Sequence, residues 1–216
     1  MGKVEPIRKM ADVYRIEDTL FKLGTPRGDR MFLLFEVGIF LGLRIGDMLK
    51  LKVGDIRGKD TYTFVPEKTD ERRHKDGTPY KNYRPKKLTI TIPAELRKVV
   101  GEMCRDRSDD ELLFPSTHQR KSGRPMSRQT ARRMMAEIGK LAGLDYRVGC
   151  HTLRKTFGYQ IYRQHHDVAW LQTWFQHSSP SVTLIYIGIA DDEKKAVTDR
   201  MPFQDRGRFD WSIKRR

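Results

Sequence analysis

Leu41-Gly42-Leu43-Arg44-Ile45-Gly46-Asp47-Met48-Leu49 is the stretch from which the rest of the chain is read. Its arginine has apolar neighbours on both sides and follows a segment, Asp29 to Gly42, that is apolar nearly all round. Such a segment predicts a buried helix. Arg44 to Leu51 reads as a second, short helix, with Lys52 to Ile56 as its exit. A guanidinium in this setting is rarely buried without a partner. One candidate is Asp47, three residues on and on the same helical face. The other is a bound phosphate, with Asp47 orienting the guanidinium from behind.

Upstream, Ile16 to Leu23 reads as a short opening helix. Downstream, Thr61 to Val65 and Leu88 to Ile92 alternate in the manner of strands. Between them runs a polar, strongly basic connection, Pro66 to Lys87, predicted as a long and mobile hairpin link. Pro93 then opens a helix through about Cys104. Ser127 is suited to cap a helix that stops at Gly143 and buries Ala131, Met134 or Met135, Ile138 and Leu141. Arg128, Arg132 and Arg133 crowd its first turns, where positive charge opposes the helix dipole. That placement suits a phosphate partner, and a solvated basic face is the alternative. Further helices are expected at Thr152–Gln164, Val168–Phe175 and Asp191–Met201, followed by a basic, loosely held tail from Asp205 to Arg216. With no internal repeat and no low-complexity linker, the expected fold is one domain, mainly α with a small antiparallel β-sheet (α+β).

The 216 residues carry 43 Lys+Arg against 28 Asp+Glu, a formal net charge of +15. A charge of that size points to a polyanionic partner, nucleic acid first and an anionic membrane surface second. A basic ribosome-associated protein is the bland alternative. No stretch is long and apolar enough to span a bilayer: Met31 to Leu43 is short and interrupted by Glu36. The start, Met1-Gly2-Lys3-Val4-Glu5-Pro6, lacks the apolar core of a signal peptide. Cys104 and Cys150 are too few for a disulfide framework or a zinc cluster, which fits a reducing, cytoplasmic setting. No GxxxxGK[ST] phosphate loop and no convincing carboxylate cluster for a two-metal nuclease are present. No cofactor and no metal are therefore expected. His165-His166-Asp167 is the one metal-like run, and adjacent histidines diverge on a helix, so it reads as solvated surface.

Two further segments carry chemistry. His151-Thr152-Leu153-Arg154 begins a helix, and its spacing of three puts imidazole and guanidinium on one face, a donor-rich surface for phosphate oxygens. Trp174-Phe175-Gln176-His177-Ser178-Ser179-Pro180 leads to Tyr186, one of eight tyrosines and in itself unremarkable. The combination is specific. Arg44 is followed 24 residues on by Lys68, then by HxxR, then by His177 23 residues after Arg154, then by Tyr186 nine further on. Together with Gly-Leu-Arg-Ile-Gly-Asp, Lys68-Thr69 and His-Ser-Ser, this series resembles the tyrosine recombinase (phage-type integrase) family from about Leu33 to Ile189.

The resemblance implies a tyrosine recombinase catalytic domain over residues 1–204, with 205–216 as its tail. It implies that Arg44 and Arg154 clamp a scissile phosphate, with Asp47 supporting the first. Tyr186 would be the nucleophile, His151 and His177 the two histidines, and Lys68 the hairpin lysine. A phenol titrates near 10 and needs a proton acceptor, for which His151 is a candidate. Lys68 is the candidate acid for the leaving 5′ oxygen, and His177 a donor to the phosphate or the phenol. Double-stranded DNA is the implied partner, with four protomers assembling on it and a monomer possible without it. The residues expected to track phosphates include Arg72, Arg73, Lys75, Lys81, Arg128, Arg132 and Arg133. Three departures stand out. Gln176 occupies a place where the family usually has Gly. The connection after Lys68 is long and basic, leaving Lys75, Lys81, Lys86 and Lys87 as alternatives to it. The catalytic pattern begins close to Met1, so the family's N-terminal core-binding domain is expected to be absent. A type IB topoisomerase, with similar chemistry, and a non-catalytic DNA-binding remnant of a mobile element are the competing readings.

Overall fold

The computed structural model describes residues 4–67, 84, 86–118 and 123–199. Helices α1 (Met10–Lys22), α2 (Pro26–Leu41) and α3 (Ile45–Met48) are followed by a 3-10 turn at Val53–Asp55. Strands β1 (Thr61–Phe64) and β2 (Leu88–Thr91) come next, then helix α4 (Ala94–Met103). The remainder is helical: α5 (Arg128–Leu141), α6 (Cys150–His165), α7 (Val168–Phe175), α8 (Pro180–Ile187) and α9 (Ile189–Asp199). The expected mainly helical α+β class is what the chain forms.

Helix α2 is the axis of the fold. Thr25 caps it by accepting from the Gly28 amide, Pro26 stands in its first turn, and Gly42 ends it with φ of 57°. Met31, Leu34, Phe35, Val37 and Leu41 are fully buried, so the helix is covered on all sides, by α1, α4, α5 and α6. The closest of these packings is with α6. A Cβ added to Gly38 would sit 2.3 Å from Leu153, so only glycine lets the two helices approach this far.

The strands pair antiparallel, Thr61 opposite Thr91 and Phe64 opposite Leu88. The expected helix after Pro93 runs from Ala94, with Pro93 at the cap position. Expectation and structure differ by a few residues at several helix ends: α2 runs Pro26–Leu41, α3 only Ile45–Met48, and α6 Cys150–His165. Helix α1 starts at Met10 rather than Ile16, because Asp12 and Val13 already join Ile16 and Leu20 on its buried side. Helix α5 buries Ala131, Met134, Met135 and Ile138, whereas Leu141 is 44% exposed, because the buried stripe passes from Ile138 to Ala142 and leaves Leu141 beside it. Met201 and the tail from Asp205 lie outside the described residues.

Apolar side chains divide into two clusters. The larger gathers α1–α6 and the sheet. The smaller contains Phe157, Tyr159, Leu171, Phe175, Ile187 and Ile189, and Trp174 packs against both. The N-terminal strand of chain crosses to this side: the Ile7 amide donates to Thr156 Oγ1 at 2.8 Å, and Arg8 pairs with Asp192 of α9.

One feature of α2 opposes its own burial. Glu36 is 4% exposed, and its Oε1 meets no hydrogen-bond partner among the described residues. Burial, then the neighbouring Glu17, pushes its carboxyl up to about 8. A group whose folded value exceeds its unfolded value binds extra protons in the native state. Its contribution is therefore full below about 4.5 and is lost as pH rises through about 8. Urea denaturation of the wild type between pH 5 and 9 is expected to show falling stability, and Glu36→Gln to remove most of that slope, a difference on the order of a few kcal/mol at pH 9.

Candidate active site

Arg44 sits at the N-cap of α3, just past the αL turn at Gly42. Arg154 projects from α6 and is 4% exposed. The two are distant in sequence, yet both donate to one atom. Arg44 Nη2 reaches the carbonyl oxygen of Phe175 at 3.2 Å, and Arg154 Nη2 reaches it at 3.1 Å. Arg154 Nη1 also donates to the Gly42 carbonyl at 2.5 Å, and its guanidinium carbon lies 4.2 Å from the centre of the Phe175 ring. Phe175 is the last residue of α7, where free carbonyls carry the negative end of the helix dipole. That helix is fixed against α2 by Trp174, whose indole N–H donates to the Leu41 carbonyl at 3.1 Å. Burial lowers the Arg154 guanidinium to about 10, an effect that Tyr186 and Asp47 oppose.

Tyr186 comes from α8, which Ser179 caps by accepting from Val182 N and which Pro180 opens. Its ring stands edge-on to Phe175 and to His177, with centroids 5.6 and 5.1 Å away. Its hydroxyl lies 3.4 Å from His151 Nδ1. Burial raises the phenol above its ordinary value, while Arg154 and Arg44 pull it down. His151 is exposed at the mouth of the cleft, where partial desolvation, followed by the charges of Arg154, Lys155, Arg44 and Arg132, lowers its imidazole below the ordinary value. The imidazole facing the phenol is thus shifted toward its neutral form, the form a base would need.

His177 is held from both ends. Its amide donates to the Gln172 carbonyl at 3.0 Å, and its Nδ1 is 3.0 Å from Thr183 Oγ1. Thr183 is fully buried, three residues before Tyr186 on the same helix. The sequence reading missed Thr183 and Gln172. The spacing of Thr183 to Tyr186 is the only signal that could have found the first. The Phe175 carbonyl has no sequence signature, because any residue supplies one.

Asp47 is buried, as a supporting acid would be, and Arg44 is near enough to act on its carboxyl; burial raises that carboxyl more than its partners lower it. Its hydrogen bond goes elsewhere: Oδ1 accepts from the Glu67 amide at 2.7 Å. The Glu67 side chain in turn pairs with Arg128. Asp47 thus pins the residue next to Lys68. Lys68, Arg72, Arg73, Lys75 and Lys81 lie outside the described residues, and Lys86 and Lys87 are exposed.

The three arginines of α5 separate by helical geometry. Arg128 and Arg132, one turn apart, line the same cleft as His151 and Tyr186, a space of about 400 Å³. Arg147, unremarked in the sequence, lines it too. Arg133 is rotated away and lines a different hollow, with Arg27, Arg30 and His118. His165-His166-Asp167 is a helix junction: His166 takes φ of 54° at the end of α6, and Asp167 caps α7. Its side chains are exposed, and among the described residues no three His, Cys, Asp or Glu gather as metal ligands.

The sequence model of the Phage integrase family matches residues 14–193. This chain belongs to that family. Among similar proteins, the probable integrase/recombinase YoeC of Bacillus subtilis (strain 168) is 36% identical over 196 residues, 91% of this chain and 96% of YoeC. Tyrosine recombinase XerA of Pyrococcus furiosus is 28% identical over 172 residues, 80% of this chain and 54% of XerA. The chain therefore spans nearly all of the first relative and about half of the second. The crystal structure of XerA recombinase superposes with a TM-score of 0.64 at 22% identity, covering 94% of this chain and 66% of that one. XerH bound to its palindromic difH substrate superposes at 0.62 with 17% identity, covering 92% and 54%. The integrase-family fold is thus matched over the whole set of elements that carry the site.

Gln176, the departure from the family's usual glycine, adopts φ of 54°. This is the left-handed region in which glycine is unstrained. The side-chain Oε1 is buried with no hydrogen-bond partner among the described residues. Gln176→Gly is expected to stabilise the fold by roughly 1 kcal/mol, a rise in Tm of about 2–4 °C by calorimetry; an unchanged or lower Tm would show that the turn tolerates glutamine without strain.

Proposed function

We propose that this chain is the strand-transferring module of a site-specific DNA recombinase, acting in the cytoplasm on double-stranded DNA through a 3′-phosphotyrosine intermediate at Tyr186. The observation that carries this reading is the convergence of Arg44 and Arg154 on one carbonyl oxygen, with both guanidinia near enough to act on the Tyr186 phenol. A scissile phosphate entering the cleft offers both guanidinia better acceptors than a single carbonyl, two forked onto its anionic oxygens. It would then lie in line with the phenol, with charge stabilised where it grows in the transition state.

The Tyr186 oxygen attacks phosphorus, and the bond from phosphorus to the 5′ oxygen breaks. The phenol proton passes to His151, and the leaving 5′ oxygen takes a proton from Lys68. His177, with its Nδ1 engaged by Thr183, presents its other nitrogen to the phosphate. The phosphotyrosyl ester keeps the bond energy, so a 5′-hydroxyl from another strand can reverse the step without ATP. Arg128 and Arg132 would track the backbone, Arg128 by exchanging Glu67 for phosphate. Assembly of four protomers on two duplexes belongs to the same proposal.

On a nicked suicide substrate, the wild type is expected to accumulate a covalent protein–DNA adduct and Tyr186→Phe none. An adduct surviving in Tyr186→Phe would place the nucleophile elsewhere, and a wild type forming none would favour a DNA-binding remnant. Replacing Arg128 and Arg132 together by Ala should weaken DNA binding across sequences and reduce the salt-dependence slope by about 2. Unchanged affinity at low salt would remove α5 from the DNA interface.

A further inference from the structure

Lys155 follows Arg154 directly in the chain and is 6% exposed. Two consecutive cations withdrawn from water are costly, and lysine is seldom buried without a specific use. Its ammonium lies over the Tyr186 ring, 5.5 Å from the centroid, within the range where an aromatic face attracts a cation. It also stands one turn from His151 on α6, so the two side chains share a helix face and line the same cleft as Tyr186. A lysine needed only for packing would have no reason to set its ammonium over the Tyr186 ring in the cleft that His151 also lines.

We propose that Lys155 is a positioning residue for strand cleavage, its ammonium bracing the Tyr186 ring and setting a fixed positive charge beside His151. The proposal rests on the reading of Tyr186 as the nucleophile. The cations that act on His151 are Arg154 and Lys155 from α6, Arg44 from the α2–α3 junction and Arg132 from α5, with the Tyr186 phenol facing it from α8 and Arg128 and Arg147 lining the same cleft. All four cations push the imidazole toward its neutral form. Arg44, Arg154 and Arg132 are directed at phosphate, whose negative charge offsets theirs once DNA is bound. Lys155 reaches the Tyr186 ring instead, so its effect on His151 persists when the cleft is filled. The ring contact also limits rotation of the phenol about its axis of attack. Orientation of that kind governs the rate once the phosphate is held.

The position of Lys155 distinguishes it from a proton donor. It touches the ring of the attacking group, whereas a general acid must reach the leaving 5′ oxygen on the far side of phosphorus. A substrate with sulfur in place of that 5′ oxygen leaves without needing a proton, so it restores cleavage to variants lacking the acid and not to variants lacking a positioning group.

The test follows adduct formation on a suicide substrate between pH 5 and 9 with the full chain, alongside wild type and Tyr186→Phe. Lys155→Met and Lys155→Gln are expected to slow cleavage about tenfold or more at neutral pH. Removing the charge lets His151 keep its proton to higher pH, so the acid limb of the profile should move up by about half a unit or more. Lys155→Arg should keep the wild-type limb with only part of the rate, and a 5′-sulfur substrate should rescue neither neutral variant. The proposal is overturned by an unmoved limb in the neutral variants, whether their rate is unchanged or falls only in step with a lower Tm. It is equally overturned by rescue with 5′ sulfur, which would make Lys155 the acid. A wild type that forms no adduct would instead sink the reading of Tyr186, a distinct outcome.

Discussion

A guanidinium buried at the centre of the molecule organises the rest of the structure. Arg154 is all but excluded from water, and it donates to the backbone carbonyls of Gly42 and Phe175 and lies within reach of the Tyr186 hydroxyl. Carbonyl dipoles compensate a full charge only partly, which is why burial lowers this arginine. The deficit is what a phosphate would make good. Each carbonyl is available because a helix ends there: α2 at the left-handed Gly42, α7 before the left-handed Gln176. The two chain reversals and the buried charge specify one another.

This arrangement joins the two halves of the apolar interior. Arg44 is carried by the larger cluster, at the exit of α2, while Tyr186 packs against the smaller one and the His177 ring meets its Phe175. Between them lies α7, whose Trp174 touches both clusters and whose terminal carbonyl receives both arginines. The Tyr186 phenol is therefore placed relative to the Arg44–Arg154 pair by side-chain packing and not by any covalent proximity. Disturbing Thr183 would move the Tyr186 and His177 side chains without removing a charge, whereas disturbing Phe175 would also reach Arg154, which stacks on its ring.

The field in the cleft is strongly positive, and it acts differently on each group. It lowers His151, which favours the neutral base, and it opposes the rise that burial imposes on the phenol. The acids that enter this region are turned to structure: Asp47 holds the Glu67 amide and Glu67 holds Arg128. These two contacts fasten the outgoing end of the β1 side, immediately before Lys68, to the same wall that would meet DNA.

Residue type and spacing in the sequence alone determined the helical class and the strand pair, and the resemblance to a known family nominated the candidate site residues. Arg44, HxxR, His177 and Tyr186 could be read because each lies in a local pattern of fixed length, and the buried character of α2 could be read because no face of it is polar. What only the tertiary structure decided is how these pieces meet. That both arginines share the Phe175 carbonyl, that Asp47 bonds to Glu67, that Arg133 turns away while Arg147 and Lys155 turn in, all depend on contacts between distant segments. Main-chain acceptors leave no mark in a sequence, and the facing of a charged helix is set by what its other side packs against.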